Sequence, residues 1–397
     1  MGGDANAMTW TPGPKALDSE RGRGGVAGIL AVVPPADEGH RASSPTAMIA
    51  GLPLLQRIVL AARAAGYAEV LVAADGEHPV ASRAHAEPIR LVLLPANVIP
   101  QPAWLRSLLT TAVERDRIFV DDSMTAVVET TNPDVVLEAI GRRPSASALV
   151  EELRAKFAEG AWPFDTTGRF PLLAAGDAGR AEKWLLRSLI KQREGFMSRH
   201  FERRVSLAVT RRLVRTRVTP NAMTAVSAAI GLASAPFFLS ASPGWQLAGA
   251  LLLLTHSILD GCDGEIARLK FLESPRGAML DYWGDNVVHV AVFACIALGW
   301  SHATGSVWPL IAGAVVVAAT LGSAAIMFRR TADDRPTAGP SSSARLLDLL
   351  GSRDFIYLLI VLSAFGKAAW FVAAAAIGTP AFVAFALWLD HRHGRLR

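Results

Sequence analysis

Four aspartates, Asp260, Asp263, Asp281 and Asp285, stand in the run DGCDGEIARLKFLESPRGAMLDYWGD, residues 260–285. They fall in the part of the chain where uncharged runs are longest. A carboxylate at bilayer depth is costly, so it faces a polar cavity, pairs with a cation or does chemistry. At helical spacing Asp260, Asp263, Gly264 and Ala267 share one face of a helix, and Gly277, Asp281 and Asp285 share one face of the next. If a short elbow makes the two helices antiparallel neighbours, these stripes gather four carboxylates around one point. Clustered anions repel unless a divalent cation neutralises them, and an all-oxygen donor set suits Mg²⁺ or Mn²⁺. Gly264, Ala267 and Gly277 leave room for a bulky ligand between the helices, and Arg268 can reach a carboxylate or a phosphate oxygen. The bland alternative is a set of solvated helix-end aspartates. It suits any one of them alone and fits poorly with four on two matched faces.

The elements that must carry these residues follow from hydropathy. The 397-residue chain is 51% hydrophobic, with a mean hydropathy of +0.30, which suggests one soluble and one membrane part. Apolar stretches before about residue 215 are short and broken by charge. After it come segments near the roughly 20 residues that a helical span needs. Six spans are expected: Val218 to Ser240, Trp245 to Asp260, 277–300, 306–328, Phe355 to Phe365 and Ala368 to Leu389. Arg211, Arg212, Arg215 and Arg217 precede the first span, and Arg268, Lys270 and Arg276 join the second and third. Arg329, Arg330, Arg335, Arg345 and Arg353 lie between the fourth and fifth, and Arg392, Arg395 and Arg397 follow the sixth. The loops at 241–244 and 301–305 carry no Lys or Arg, and the turn at 366 has only Lys367. By the positive-inside rule both termini and the acid cluster are expected on the cytoplasmic side of a bacterial-type membrane.

The net charge of +5 has no aromatic interleaving or nucleic-acid motif beside it. The basic residues flank apolar spans, so anionic lipid is the implied partner and nucleic acid is not. Cys262 and Cys295 both fall in membrane segments, which argues against a disulfide framework. Residues 1–24 have no apolar core of a signal peptide and read as a disordered tail. In 25–180, the runs 26–35, 68–76, 89–97 and 117–130 have strand character, the last as one strand or a pair. Stretches 51–66 and 102–114 have helical spacing, so this region is expected to be an α/β domain with a mainly parallel sheet. Residues 181–217 read as a basic amphipathic helix on an anionic surface, or else as a solvated connector. The membrane domain spans 218–390 and a basic tail 391–397.

The residues also carry a resemblance. D-G-x2-A-R-x8-G-x3-D-x3-D is the signature of the CDP-alcohol phosphotransferase family. It is matched by Asp263-Gly264, Ala267-Arg268, Gly277, Asp281 and Asp285, with the family's leading aspartate at Asp260. TPNAMT, residues 219–224, resembles the family's entrance to its first span. The resemblance covers roughly residues 185–390. It implies transfer of a phospho-alcohol group from a CDP-alcohol to a second alcohol, with CMP leaving. Asp260, Asp263 and Asp281 would bind Mg²⁺ or Mn²⁺, and Asp285 would be a further ligand or the general base. Gly264, Ala267, Arg268, Gly277 and Asn221 would contact the nucleotide. Arg276, Arg329, Arg330 and Arg353 could bind a phosphorylated acceptor such as an inositol phosphate, although the same arginines satisfy the charge rule with no substrate role. RDFIY, residues 353–357, resembles members with polyol-phosphate acceptors. The donor is left open between CDP-diacylglycerol and a CDP-polyol, and a homodimer is implied by the family alone. His256 and His289 lie in register with the acidic faces, where packed, hydrogen-bonded histidines are the favoured reading.

Residues 49–74 resemble, more weakly, a nucleotidyltransferase (a Rossmann-like α/β fold) of the kind fused to this membrane family in inositol-phosphate cytidylyltransferase and di-inositol-phosphate phosphate synthase proteins. Such an enzyme needs a glycine-rich phosphate loop, yet 34–46 has one glycine. No lysine occurs between Lys15 and Lys156, and Asn97 stands where a metal-binding aspartate is expected. Asp121 and Asp122 are adjacent acids of the usually solvated kind. The domain is therefore expected to keep the fold without the transfer activity. A bifunctional enzyme and a catalytically silent membrane scaffold are the alternatives.

Overall fold

Short apolar runs closed by proline and glycine become strands in the first part of the chain, and long ones become helices in the last. The structure, a computed structural model, describes residues 27–35, 46–73, 88–142, 145–174, 176–190, 201–333 and 355–394. In chain order come β1 (Ala27–Val33), β2 (Met48–Ile49), β3 (Leu52–Pro53), α1 (Leu54–Ala65), β4 (Glu69–Val72), β5 (Ile89–Pro95), β6 (Val98–Pro100) and α2 (Pro102–Thr110). Next are β7 (Arg117–Val120), β8 (Ala126–Thr130), α3 (Asp134–Arg142), α4 (Ala146–Arg154), β9 (Ala158–Gly160), β10 (Arg169–Pro171) and α5 (Asp177–Ser188). The helices α6 (Arg203–Leu213), α7 (Pro220–Ser234), α8 (Pro243–Lys270), α9 (Pro275–Thr304), α10 (Trp308–Asp333), α11 (Phe355–Ala364) and α12 (Ala368–Gly394) complete the chain. It divides into two compact units, Met1–Ala47 with Leu54–Ala175, and Met48–Pro53 with Gly176–Arg397.

The first unit is an α/β layer structure. Its sheet has the order β4-β1-β5-β8-β7-β9. β1 runs parallel to β4 and β5, and β9 parallel to β7, whereas β8 is antiparallel to both β5 and β7. The run 117–130 is thus a hairpin pair, which makes the sheet mixed. Alternate residues Ile29, Ala31, Leu91, Leu93 and Val128 meet Val136, Ile140, Leu149 and Leu153 of α3 and α4 in one core. On the other face α2 comes so close that a Cβ on Gly28 would lie 2.2 Å from Leu109 Cδ2.

Arg90, on β5, is 3% exposed. It donates through Nη1 to the carbonyls of Leu108, Leu109 and Thr111 at 3.0, 2.8 and 2.6 Å, capping the C-terminus of α2. Its Nε bonds Glu129 on β8 at 3.1 Å, and Nη2 reaches the same carboxylate. The other Glu129 oxygen has Arg115, an exposed side chain, 3.6 Å away. Arg90→Met is therefore expected to destabilise this unit by about 3–5 kcal/mol, because it strands a buried charge. Hydrogen exchange of the full chain should show faster exchange in β5 and β8. Unchanged protection there would refute the assignment.

In the second unit the β2–β3 hairpin, α5 and the end of α6 meet at Glu182, which is 6% exposed. Its carboxylate accepts from the Ala50 amide at 3.3 Å and from Arg215 at 2.6 Å. Gly51, at φ +78°, lies against α6's exit, where a Cβ would sit 2.1 Å from the Val214 carbonyl oxygen. The stretch 181–217, expected as one amphipathic helix, contains the end of α5 and all of α6. Residues 191–200 between them lie outside the described residues. The α6 face bearing Ser206 and Thr210 is buried rather than turned to a surface.

Among the described residues, four helices are long and apolar enough to cross a membrane: Pro220–Leu239, Pro275–Thr304, Trp308–Ile326 and Ala368–Phe385. The first is α7 prolonged by the 3-10 turn Ala235–Leu239. α8 is 28 residues long but charged in its last turns, and α11 has 10 residues. Phe238, Leu253, Val292, Ile296, Leu359 and Val372 share one apolar core.

Candidate active site

α8 continues past the expected span end at Asp260 as far as Lys270, so Asp263, Gly264 and Ala267 are helical too. Phe271 then turns left-handed at φ +55°, its amide and that of Leu272 returning to carbonyls at the helix end. Ser274 caps α9 by accepting from the Gly277 amide at 3.0 Å, with Pro275 in the first turn. The elbow is thus four residues, Phe271 to Ser274, and α7 packs against both helices it joins.

The four aspartates come together. Donor atoms of Asp260, Asp263 and Asp281 lie within 4.8 Å of one another, as do those of Asp260, Asp285 and His256. Asp260 and Asp263 are each 5% exposed. Two carboxylates at such a separation repel by about 3 kcal/mol at an effective dielectric near 20. Two hydrogen bonds fix Asp263: the Thr224 hydroxyl donates to Oδ2 and the Gly264 amide to Oδ1. Asp281 Oδ1 is buried and has no hydrogen-bond partner among the described residues. Converging carboxylates, one with an orphaned oxygen, fit a hard divalent cation of the Mg²⁺ or Mn²⁺ type.

The residues expected at a nucleotide fall nearby. A Cβ on Gly277 would lie 3.2 Å from Asn221 Oδ1, so these two adjoin. Asn221 sits in the first turn of α7, which Thr219 caps by accepting from the Ala222 amide at 3.3 Å. The Arg268 guanidinium lies against Gly264, where a Cβ would be 3.4 Å from Nη1. Its Nε is buried with no hydrogen-bond partner among the described residues. Ala267 is 9% exposed. Of the expected acceptor arginines, Arg276 is exposed in the first turn of α9. Arg353 and the side chains of Arg329 and Arg330 lie outside the described residues. Tyr357, from RDFIY, donates to Glu202 at 3.0 Å.

The histidines part company. His289 packs among aromatic rings, 6.2 Å from Phe293 and 5.3 Å from Phe355 between centroids. His256 is hydrogen-bonded as expected, through Nδ1 to the Ser227 carbonyl at 2.9 Å, but its Nε2 also reaches Asp285 Oδ1 at 3.3 Å. Thr224 and Glu265 were legible only in part. Thr224 closes TPNAMT, and Glu265 sits inside the acidic signature without belonging to its face. Glu265 is fully buried and accepts from Arg203 at 2.8 Å, Ser206 at 2.7 Å and Thr210 at 2.6 Å.

In the first unit, Asn97 Nδ2 donates to the Leu172 carbonyl at 3.1 Å. Asp121 is not solvated. It accepts from Ser123 and Thr125 amides at 2.8 and 3.0 Å and pairs with Arg169 Nε at 2.6 Å. Asp122 pairs with the same arginine.

A carboxylate centre shared by two membrane-unit helices, with an unpartnered Asp281 oxygen and the buried Nε of Arg268 nearby, suits a divalent ion. Residues 217–388 match the CDP-alcohol phosphatidyltransferase family model. A bifunctional IPC transferase and DIPP synthase of Thermococcus kodakarensis is 37% identical over 150 residues, 38% of this chain and 32% of the relative. The protein so described from Archaeoglobus fulgidus is 37% identical over 145 residues, 36% of this chain and 29% of that one. The chain thus spans about a third of the length of these curated relatives. A crystal structure of Mycobacterium tuberculosis phosphatidylinositol phosphate synthase with CDP-DAG bound aligns over 46% of this chain and 92% of that one, at 18% identity and TM-score 0.37.

Proposed function

We propose that the membrane unit transfers the phospho-alcohol group of a CDP-alcohol to an acceptor hydroxyl and releases CMP. The observation that carries this reading is the convergence of Asp260, Asp263, Asp281 and Asp285 within a family-matched domain. Asp260, Asp263 and Asp281 hold the divalent ion, with Asp285 as a further ligand or as the base. The ion, when bound, offsets pyrophosphate charge and makes CMP a better leaving group. Asp285 takes the proton of the acceptor hydroxyl as its oxygen forms the new bond to the phosphorus bearing the alcohol. The bond from that phosphorus to the bridging oxygen breaks, and this oxygen leaves with CMP. Arg268 donates to a phosphate oxygen, which answers the want of a protein acceptor for its Nε. Gly264, Ala267, Gly277 and Asn221 line the nucleotide's place, and Arg276, Arg329, Arg330 and Arg353 favour a phosphorylated acceptor.

The arginine distribution supports six spans, with α8 and α11 completing the set, and a cytoplasmic active site. A homodimer in contact with anionic lipid is the working assembly. The first unit is a nucleotidyltransferase-like domain without that activity, because Asn97, Asp121 and Asp122 are engaged within the protein. A bifunctional enzyme is the second reading, favoured by the printed descriptions of the relatives. CTP turnover by the full chain separates the two.

The test is CMP release by the detergent-purified protein with Mg²⁺ or Mn²⁺. CDP-diacylglycerol and CDP-inositol are offered against polyols and polyol phosphates, with Asp285→Asn as control. Release that requires one donor–acceptor pair and vanishes in the variant is expected. Failure of every pair, together with no binding of divalent ion, would overturn the enzyme reading in favour of a silent scaffold.

A further inference from the structure

We infer that His256 is a nitrogen ligand of the divalent centre, entering it beside Asp260 and Asp285. The inference rests on the metal-site reading and goes beyond the aspartate signature, which contains no histidine. His256 is 2% exposed, so its ring lies away from bulk water. Its Nδ1 faces the Ser227 carbonyl at 2.9 Å. A carbonyl oxygen only accepts, so this contact puts the hydrogen on Nδ1 and leaves Nε2 as a lone pair in the neutral ring. Nε2 lies 3.3 Å from Asp285 Oδ1. Two acceptors this close call for a proton or a metal ion between them, and a third ligand atom from Asp260 within reach favours the metal ion. Two ligand atoms, each about 2.1 Å from one ion and near a right angle apart, lie roughly 3 Å from each other. The observed spacing is of that size, and an Asp260 oxygen completes the trio within 4.8 Å.

The ring's place is built from two sides. A Cβ on Gly231 would lie 2.9 Å from His256 Cγ and 2.6 Å from Val288 Cγ1, so only glycine lets α7 approach the ring this closely. Ser227, one turn earlier on the same helix, supplies the carbonyl that holds Nδ1. A metal-bound histidine commonly has its other ring nitrogen held by such an acceptor, which fixes the tautomer and raises ligand basicity. An imidazole in the donor set makes the site friendlier to Mn²⁺ than to Mg²⁺, which prefers oxygen.

The test is pulsed electron paramagnetic resonance of the Mn²⁺-loaded full chain, set beside a Mn²⁺ binding isotherm. Modulation from a directly bound imidazole ¹⁴N is expected, and it should disappear in His256→Gln. The Mn²⁺ dissociation constant should rise roughly 10–100-fold in that variant, with a smaller change for Mg²⁺. Gly231→Ala, which displaces the ring while keeping the imidazole, should weaken the modulation as well. Bound Mn²⁺ without ¹⁴N modulation in the unaltered protein, or modulation that persists in His256→Gln, overturns the inference and leaves the carboxylate site standing. No bound Mn²⁺ at all overturns the inference together with the metal-site reading beneath it.

Discussion

Asp263→Asn is expected to lower CMP release by about 10³-fold or more, since loss of a metal-bound anion removes several kcal/mol of charge stabilisation. The fold should survive the change. Asparagine has the same shape, and its one carbonyl oxygen still accepts from Thr224 or from the Gly264 amide. The Thr224 hydroxyl can turn to accept from the new NH₂ instead. Only the charge is lost, and with it one of the three carboxylates whose donor atoms lie within 4.8 Å. Two measurements check this: CMP release with the pair the wild type turns over, and Mn²⁺ affinity. A variant that keeps more than a tenth of wild-type turnover with undiminished Mn²⁺ affinity would remove Asp263 from the site.

The acid cluster was legible because it is written within two helices. Spacings of three and four fix which residues share a helical face whatever surrounds them. The elbow was legible only as a short connection. Its sharpness depends on Phe271, a bulky residue in a left-handed conformation that sequence gives no reason to expect. Strands β1, β4, β5, β7 and β8 followed from their apolar runs, whereas the three-residue strands β6, β9 and β10 did not. The antiparallel insertion of β8 did not, because strand order is set by pairing between distant segments.

His256 shows where sequence reasoning stops at the site itself. Its register with Asp260 is visible, but its two partners lie on α7 and α9, and only packing decides whether an imidazole meets a carboxylate or a wall of apolar side chains. His289, equally in register, meets Phe293 and Phe355. Asp121 and Asp122 teach the reverse lesson. Adjacent acids in a loop read as solvated, and Asp122 is exposed, yet Arg169, 47 residues beyond it, pairs with both and Asp121 is buried.

Glu265→Ala is expected to cost about 3–5 kcal/mol, the range for breaking a buried ion pair by removing one partner. Glu265 lies two residues beyond Asp263, about 200° around α8 and so on the opposite face. There α6 presents Arg203, Ser206 and Thr210 at helical spacing, and all three donate to the one carboxylate. Removing it leaves a guanidinium that is 17% exposed and two buried hydroxyls without their acceptor. The polar stripe on α6 is visible in the sequence, but among so many arginines it reads as part of a basic amphipathic helix on an anionic surface. Glu265→Gln, which keeps an acceptor and loses the charge, should fall between wild type and Ala. The pair Glu265→Leu with Arg203→Met should recover much of the loss, because replacing both partners of a buried ion pair with apolar groups is often close to neutral. Thermal unfolding of the detergent-purified chain gives the ranking, and faster hydrogen exchange in α6 should locate the effect. A Glu265→Ala protein as stable as wild type would mean that α6 is held on α8 by its apolar contacts alone. The expected ranking would instead make the carboxylate the clamp that holds α6 behind the helix bearing Asp260 and Asp263.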